Sequence, residues 1–171
     1  MGKYIGESVL RKEDPRLVTG EAKYLEDIQL PGMVHAAVKR SDYAHAKIKK
    51  IDTSEAEKMT GVLGVWTGKD FEDINPMPCA WQAGGITNNA NTPRVLEIDK
   101  VTFTGQGVAV EVAEDRSIAE DAISKIIVDY EELPVVVKAE DAIKPGAPQL
   151  HENAPNNICM ERECGNQEGT E

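Results

Sequence analysis

The sequence predicts an α+β domain, a mixed β-sheet with two or three short helices, and two observations carry that prediction. The first is composition. Hydrophobic residues make up 40% of the chain but aromatics only 5%, so Val, Ile, Leu and Ala must fill the core, a supply that suits sheets with small helices. The second is the run V-T-F-T-G-Q-G-V-A-V-E-V-A-E-D-R-S-I-A-E-D-A-I-S-K-I-I-V-D-Y-E-E-L-P that begins at Val101. Its apolar period is two at Val108, Val110 and Val112, then that of one helix face at Ile118, Ala119, Ala122, Ile123 and Ile126, and Ile127 to Tyr130 starts a further strand.

The elements follow in order. Pro15, Gly20, Pro31 and Gly32 break residues 1–32 into extended segments and turns around Arg16-Leu17-Val18-Thr19, a stretch suited to draping over another surface. Met33 to Arg40 and Ala46 to Ile51 read as two strands, which S-D-Y-A-H between them would join as a hairpin. Ser54 with Glu57 three residues later matches a capping box and predicts a short helix, ended by Thr60-Gly61, before a buried strand at Val62 to Thr67. Between about 72 and 94 the pattern vanishes into Pro, Gly and Asn, a loop too long for an ordinary connection and therefore functional or mobile. Ser117 and Glu120 form a second capping box at the start of the central helix. From Glu140 onward the chain turns acidic and loses its pattern.

At 171 residues the chain suffices for one domain with a core that needs neither disulfide nor structural metal. Its net charge of −11 excludes the clustered Lys and Arg that displace counterions from nucleic acid, and disfavours an anionic membrane surface. Three cysteines, Cys79, Cys159 and Cys164, fit neither a disulfide framework nor a zinc spacing, which points to a reducing cytoplasm. No apolar run has the length of a membrane span, and M-G-K-Y-I-G-E-S carries no signal-peptide core.

Several short patterns suggest chemistry. Ser41, Asp42, Tyr43 and His45 are the ingredients of a hydrolase site, but so close together in a turn their side chains diverge, and no nucleophile elbow frames the serine. Glu55-Ala56-Glu57-Lys58-Met59 is one letter from the loop on which biotin and lipoyl carriers present their lysine. Here Lys58 follows a capping box on a helix and reads as a solvated lysine. His35, His45, His151, Cys159 and Cys164 are possible metal ligands without a geometry to gather them. Gly105-x-Gly107 precedes a strand, not a helix, so it is no dinucleotide fingerprint.

Four blocks occur in order: R-L-V-T-G-E-A-K-Y-L-E-D-I-Q-L-P-G-M, R-S-D-Y-A-H-A-K-I-K-K-I-D-T-S-E-A, G-V-L-G-V-W-T-G-K-D, and the run from Val101 that ends in V-D-Y-E-E-L-P. Together they resemble the N-terminal α/β-hammerhead domain of the molybdenum hydroxylase large subunit, the family of xanthine dehydrogenase, aldehyde oxidase and aerobic carbon monoxide dehydrogenase. The resemblance covers about residues 6–158. Asp42 and Gly107 stand where the family commonly has Pro, both acceptable in turns.

The resemblance implies a hammerhead domain over 1–158, with 1–32 as its extended segment and 159–171 as an acidic tail or linker. It also implies a hydroxylase that inserts water-derived oxygen into an aldehyde, a heterocycle or CO. The assembled enzyme would use molybdopterin-bound molybdenum, iron–sulfur clusters and FAD. In the family the cofactor-binding segment and catalytic carboxylate lie downstream of this domain, so no catalytic, cofactor-binding or metal residue is expected here, and the chain alone should be inactive. Its partners would be the molybdopterin-binding remainder of the large subunit and the iron–sulfur and flavin subunits. The rival expectation is a stand-alone carrier or small-ligand binding module built on the same fold.

Overall fold

A computed structural model describes residues 4–78, 87–88, 92–162, 165 and 169. The chain divides into two units, residues 1–33 and residues 34–171. The first contains one helical turn, α1 (Asp14–Val18), with Pro15 at its start where a missing N–H costs nothing, and a 3₁₀ turn at Leu25–Asp27. Both fall in the stretch that the sequence reads as extended segments and turns.

The second unit is built on two three-stranded sheets. Its elements are β1 (His35–Arg40), β2 (Ala46–Asp52), β3 (Val62–Thr67), β4 (Thr87–Asn88), β5 (Lys100–Val101), β6 (Gly107–Ala113), α2 (Arg116–Lys125), β7 (Ile127–Glu132), α3 (Ala139–Ala142) and β8 (Met160–Glu161). Sheet one has the order β1-β6-β3 and sheet two β5-β2-β7, while β4 and β8 form a two-stranded ladder, so the tail from Glu140 is not patternless. All these pairings are antiparallel, and with the short helices they make the α+β class that the sequence predicts.

Two local expectations are corrected. β1 and β2 do not form a hairpin: β1 pairs with β6, while β2 pairs with β5 and β7. Nor do residues 54–59 form a helix; they make consecutive turns. There the Asp52 carboxylate accepts from the Ser54 backbone N–H and hydroxyl, and Thr53 Oγ1 donates to Glu57 Oε1, so the polar groups that would cap a helix close a turn between sheets. Helix α2 is where expected, but its cap is Asp115, whose carboxylate accepts from Ser117 N at 2.7 Å.

The core sits beneath α2 and between the sheets. Ala109 of β6 packs with Ala56, Ala122 and Ile126, flanked by Ile51, Val62 and Val65. Val108 packs with Ala46 and Val101 among Tyr43, Ile48 and Tyr130. Small alanines at the contact points let helix and sheets approach closely, which is how a chain so poor in aromatics still buries a core.

Candidate functional site

The crossover S-D-Y-A-H between β1 and β2 is where the chain passes from one sheet to the other. Ser41 N donates to Gln106 O and Gly105 N to Ser41 O, each at 2.8 Å, so Ser41 prolongs the alignment of β1 with the segment entering β6. Arg40 Nη1 reaches Gly105 O at 2.8 Å. The Ser41 hydroxyl is spent on its own turn, accepting from Tyr43 N and donating to Tyr43 O, both at 3.0 Å. At the far end Leu133 N donates to His45 O at 3.0 Å, which delivers the chain into sheet two.

His45 is buried, with Nδ1 2.7 Å from the carbonyl oxygen of Pro134. Since that acceptor needs a proton, Nδ1 carries it. The Tyr43 and Tyr130 rings lie 4.9 Å apart, and burial pushes the Tyr130 hydroxyl above its ordinary range. Asp42 is exposed. A hydrolytic triad needs serine, imidazole and carboxylate in series; here serine and imidazole each bond to backbone. The residue types suggest catalysis, and the geometry spends them on joining two sheets.

The remaining candidates are scattered. Lys58 is exposed and its Nζ lies 2.8 Å from Glu55 Oε1, which raises the lysine and lowers the glutamate relative to their ordinary values. It sits on a turn, not on the expected helix, but the flanking β2 and β3 lie in different sheets, unlike the paired strands of a carrier hairpin. His35 lies on β1, and Cys159 is half-buried just before β8. Burial first, then the charges of Lys100 and His45, hold His151 below the ordinary histidine range. Cys79 and Cys164 lie outside the described residues, as does much of the 72–94 loop. Among the described residues no three His, Cys, Asp or Glu side chains converge to hold a metal.

An open cleft of about 680 Å³ runs beside the β5 edge, with Lys47, Arg94, Glu97, Lys100, Gln106 and His151 among its walls. Sequence reasoning missed it, because its walls come from segments far apart in the chain. Its polar groups already serve one another. Gln106 Oε1 accepts from Thr102 N at 2.7 Å, Gln106 Nε2 donates to Glu97 at 2.6 Å, and Lys100 Nζ donates to Leu150 O at 2.9 Å. With cations and carboxylates mixed along it, the cleft presents no single charge to a ligand.

Two antiparallel sheets linked by a crossover, with one helix across the first, define a packing domain, not a reaction centre. The sequence of residues 19–134 matches the family described as aldehyde oxidase and xanthine dehydrogenase, a/b hammerhead domain. This chain belongs to that family. It is 42% identical over 142 residues to the carbon monoxide dehydrogenase large chain of Hydrogenophaga pseudoflava, covering 83% of this chain and 17% of that one. To the nicotine 6-hydroxylase large subunit of Paenarthrobacter nicotinovorans it is 41% identical, covering 90% of this chain and 19% of that subunit. The crystal structure of a Cu,Mo-CO dehydrogenase superposes with a TM-score of 0.72 at 41% identity, over 86% of this chain and 18% of that one. The chain thus spans less than a fifth of these relatives, and corresponds to the hammerhead domain of a molybdenum hydroxylase large subunit. Among its described residues no helix is long and apolar enough to cross a membrane.

Proposed function

We propose that this chain serves assembly within a molybdenum hydroxylase. It packs against the molybdopterin-binding remainder of the large subunit and against the iron–sulfur and flavin subunits. The reading is carried by the incomplete cover of sheet one. On one face α2 covers Ala109 and its neighbours. On the other, Val108 is buried against Ala46 and Val101, but Val38 and Trp66, both in register with Val110, remain 38% and 37% exposed. A solvated sheet face ordinarily alternates to polar residues; an apolar one marks a surface that another body covers.

The described residues do not fit a molybdenum or iron–sulfur centre, since no donor set converges in them. On this reading the cofactor chemistry belongs to the other parts of the assembly, and so does the choice among aldehyde, heterocycle and CO as substrate. This chain contributes shape and a covered apolar surface. It acts in the cytoplasm.

Co-expression with the molybdopterin-binding remainder of a large subunit, as a separate polypeptide, tests the proposal. The two should co-elute as a complex that contains molybdenum, whereas the 171-residue chain alone should bind none and oxidise no aldehyde. Stoichiometric molybdenum in the chain by itself, or failure to co-elute, would overturn the reading. An intact mass bearing a biotinyl or lipoyl adduct on Lys58 would support the carrier module instead.

A further inference from the structure

We infer that residues 4–33 are a docking arm, and that the surface it occupies lies on the part of the large subunit that follows the hammerhead domain. The inference rests on the assembly role proposed above. Within this unit no described residue is buried, and only Leu17 and Ala22 are even half-buried. Leu10, Leu25, Val18 and Ile5 are each more than 80% exposed, and Tyr4, Val9, Tyr24 and Leu30 more than 60%. A segment of this size with no core cannot repay the entropy of ordering its backbone, so its order must come from a surface outside it.

Its composition says what kind of surface. Segments that stay disordered are poor in apolar residues and strongly charged. Residues 1–33 carry almost no net charge, with five Lys and Arg against six Asp and Glu, so almost all of the chain's −11 lies in the second unit. A near-neutral arm lined with Leu, Ile, Val and Tyr docks by apolar burial, not by charge.

The partner follows from the relatives. The family match begins at residue 19, inside the arm, so Tyr24, Leu25, Ile28 and Leu30 belong to the family's own region. In the relatives that region is less than a fifth of one polypeptide. A cover carried on the same polypeptide meets the arm at high effective concentration, which a separate subunit or a second copy does not.

The test uses the full chain co-expressed with the molybdopterin-binding remainder of a large subunit, supplied as a separate polypeptide so that affinity can be read. Amide hydrogen exchange should slow at least tenfold across residues 4–33 in the complex relative to the free chain. The double variant Leu10→Asp/Leu25→Asp should weaken the complex at least tenfold, with little dependence on salt. Val137→Asp, at an equally exposed apolar position outside the arm, should leave it unchanged. Because these side chains are exposed, the variants should keep the far-ultraviolet circular dichroism of the parent. A complex of undiminished strength with the double variant, or arm amides that exchange at the free rate, overturns the arm while leaving the assembly role standing. Concentration-dependent dimers of the chain alone that protect the arm overturn it in favour of a second copy. No complex with the unaltered chain removes both.

Discussion

The Nδ1 atom of His45 lies 2.7 Å from the carbonyl oxygen of Pro134, across 89 residues of sequence. This bond ties S-D-Y-A-H to the end of V-D-Y-E-E-L-P, and the Tyr43–Tyr130 ring pair joins the same two blocks. The backbone bonds of Ser41 to Gly105 and Gln106 bring in T-G-Q-G. Motifs that look independent in sequence are one junction in space.

Truncation at that junction should cost stability, not chemistry. His45→Ala is expected to lose roughly 2–4 kcal/mol, from a buried cavity and a stranded carbonyl. Ser41→Ala should lose about 1 kcal/mol, the worth of its turn hydrogen bonds. Urea unfolding measures both. In the assembled enzyme Ser41→Ala should still turn over, and a normally assembled but dead variant would show the serine to be catalytic.

Glu111 lies fully buried on β6, facing Ala37 and Val65 in register, and neither carboxylate oxygen has a hydrogen-bond partner among the described residues. Burial pushes its carboxyl above the ordinary glutamate value of 4.5. The folded chain therefore holds this proton more tightly than the unfolded one. The stability it contributes is fully present below about pH 4.5 and is lost as pH rises through the folded value. Glu111→Met should stabilise the chain by roughly 1–3 kcal/mol near pH 7 and remove this part of the pH dependence. Urea midpoints across an acid-to-neutral series would show it, and a midpoint that falls at neutral pH would contradict it.

Gly68 is buried where β3 ends, and a Cβ there would stand 2.5 Å from the backbone oxygen of Glu97. That backbone is fixed, since Glu97 N donates to Gly107 O at 2.9 Å. Gly68→Ala should destabilise by about 1–3 kcal/mol. At Gly64 the obstruction is the Trp66 ring, a part-exposed side chain and not backbone. Gly64→Ala should accordingly lower the melting temperature less than Gly68→Ala.

Capping of α2 discriminates between two residues. Asp115→Ala should cost about 1 kcal/mol, because its carboxylate is the acceptor for Ser117 N. Ser117→Ala should stay within about 0.5 kcal/mol of the parent. Equal losses in thermal melts would restore Ser117 as the cap.

Much of the chain was legible without coordinates. Period-two valines placed β6, one apolar helix face placed α2, and four ordered blocks pointed to the hammerhead family. What misled were short polar patterns. Ser54 and Glu57 look the same whether they open a helix or close a turn, and Asp52, two residues before the expected box, decided for the turn. Ser117 likewise yielded to its neighbour Asp115, since any carboxylate or hydroxyl near a helix start can cap it.

The amino-acid sequence by itself determined the strands β1, β2, β3, β6 and β7 and the helix α2, because these depend on side-chain period over neighbouring residues. Only the tertiary structure decided that β1 and β2 belong to different sheets, that His45 meets Pro134, that Val38 and Trp66 of sheet one stay part-exposed, and that no described residue of 4–33 is buried. Pairing, junctions and exposed surfaces depend on what distant segments bury, and no local period records that.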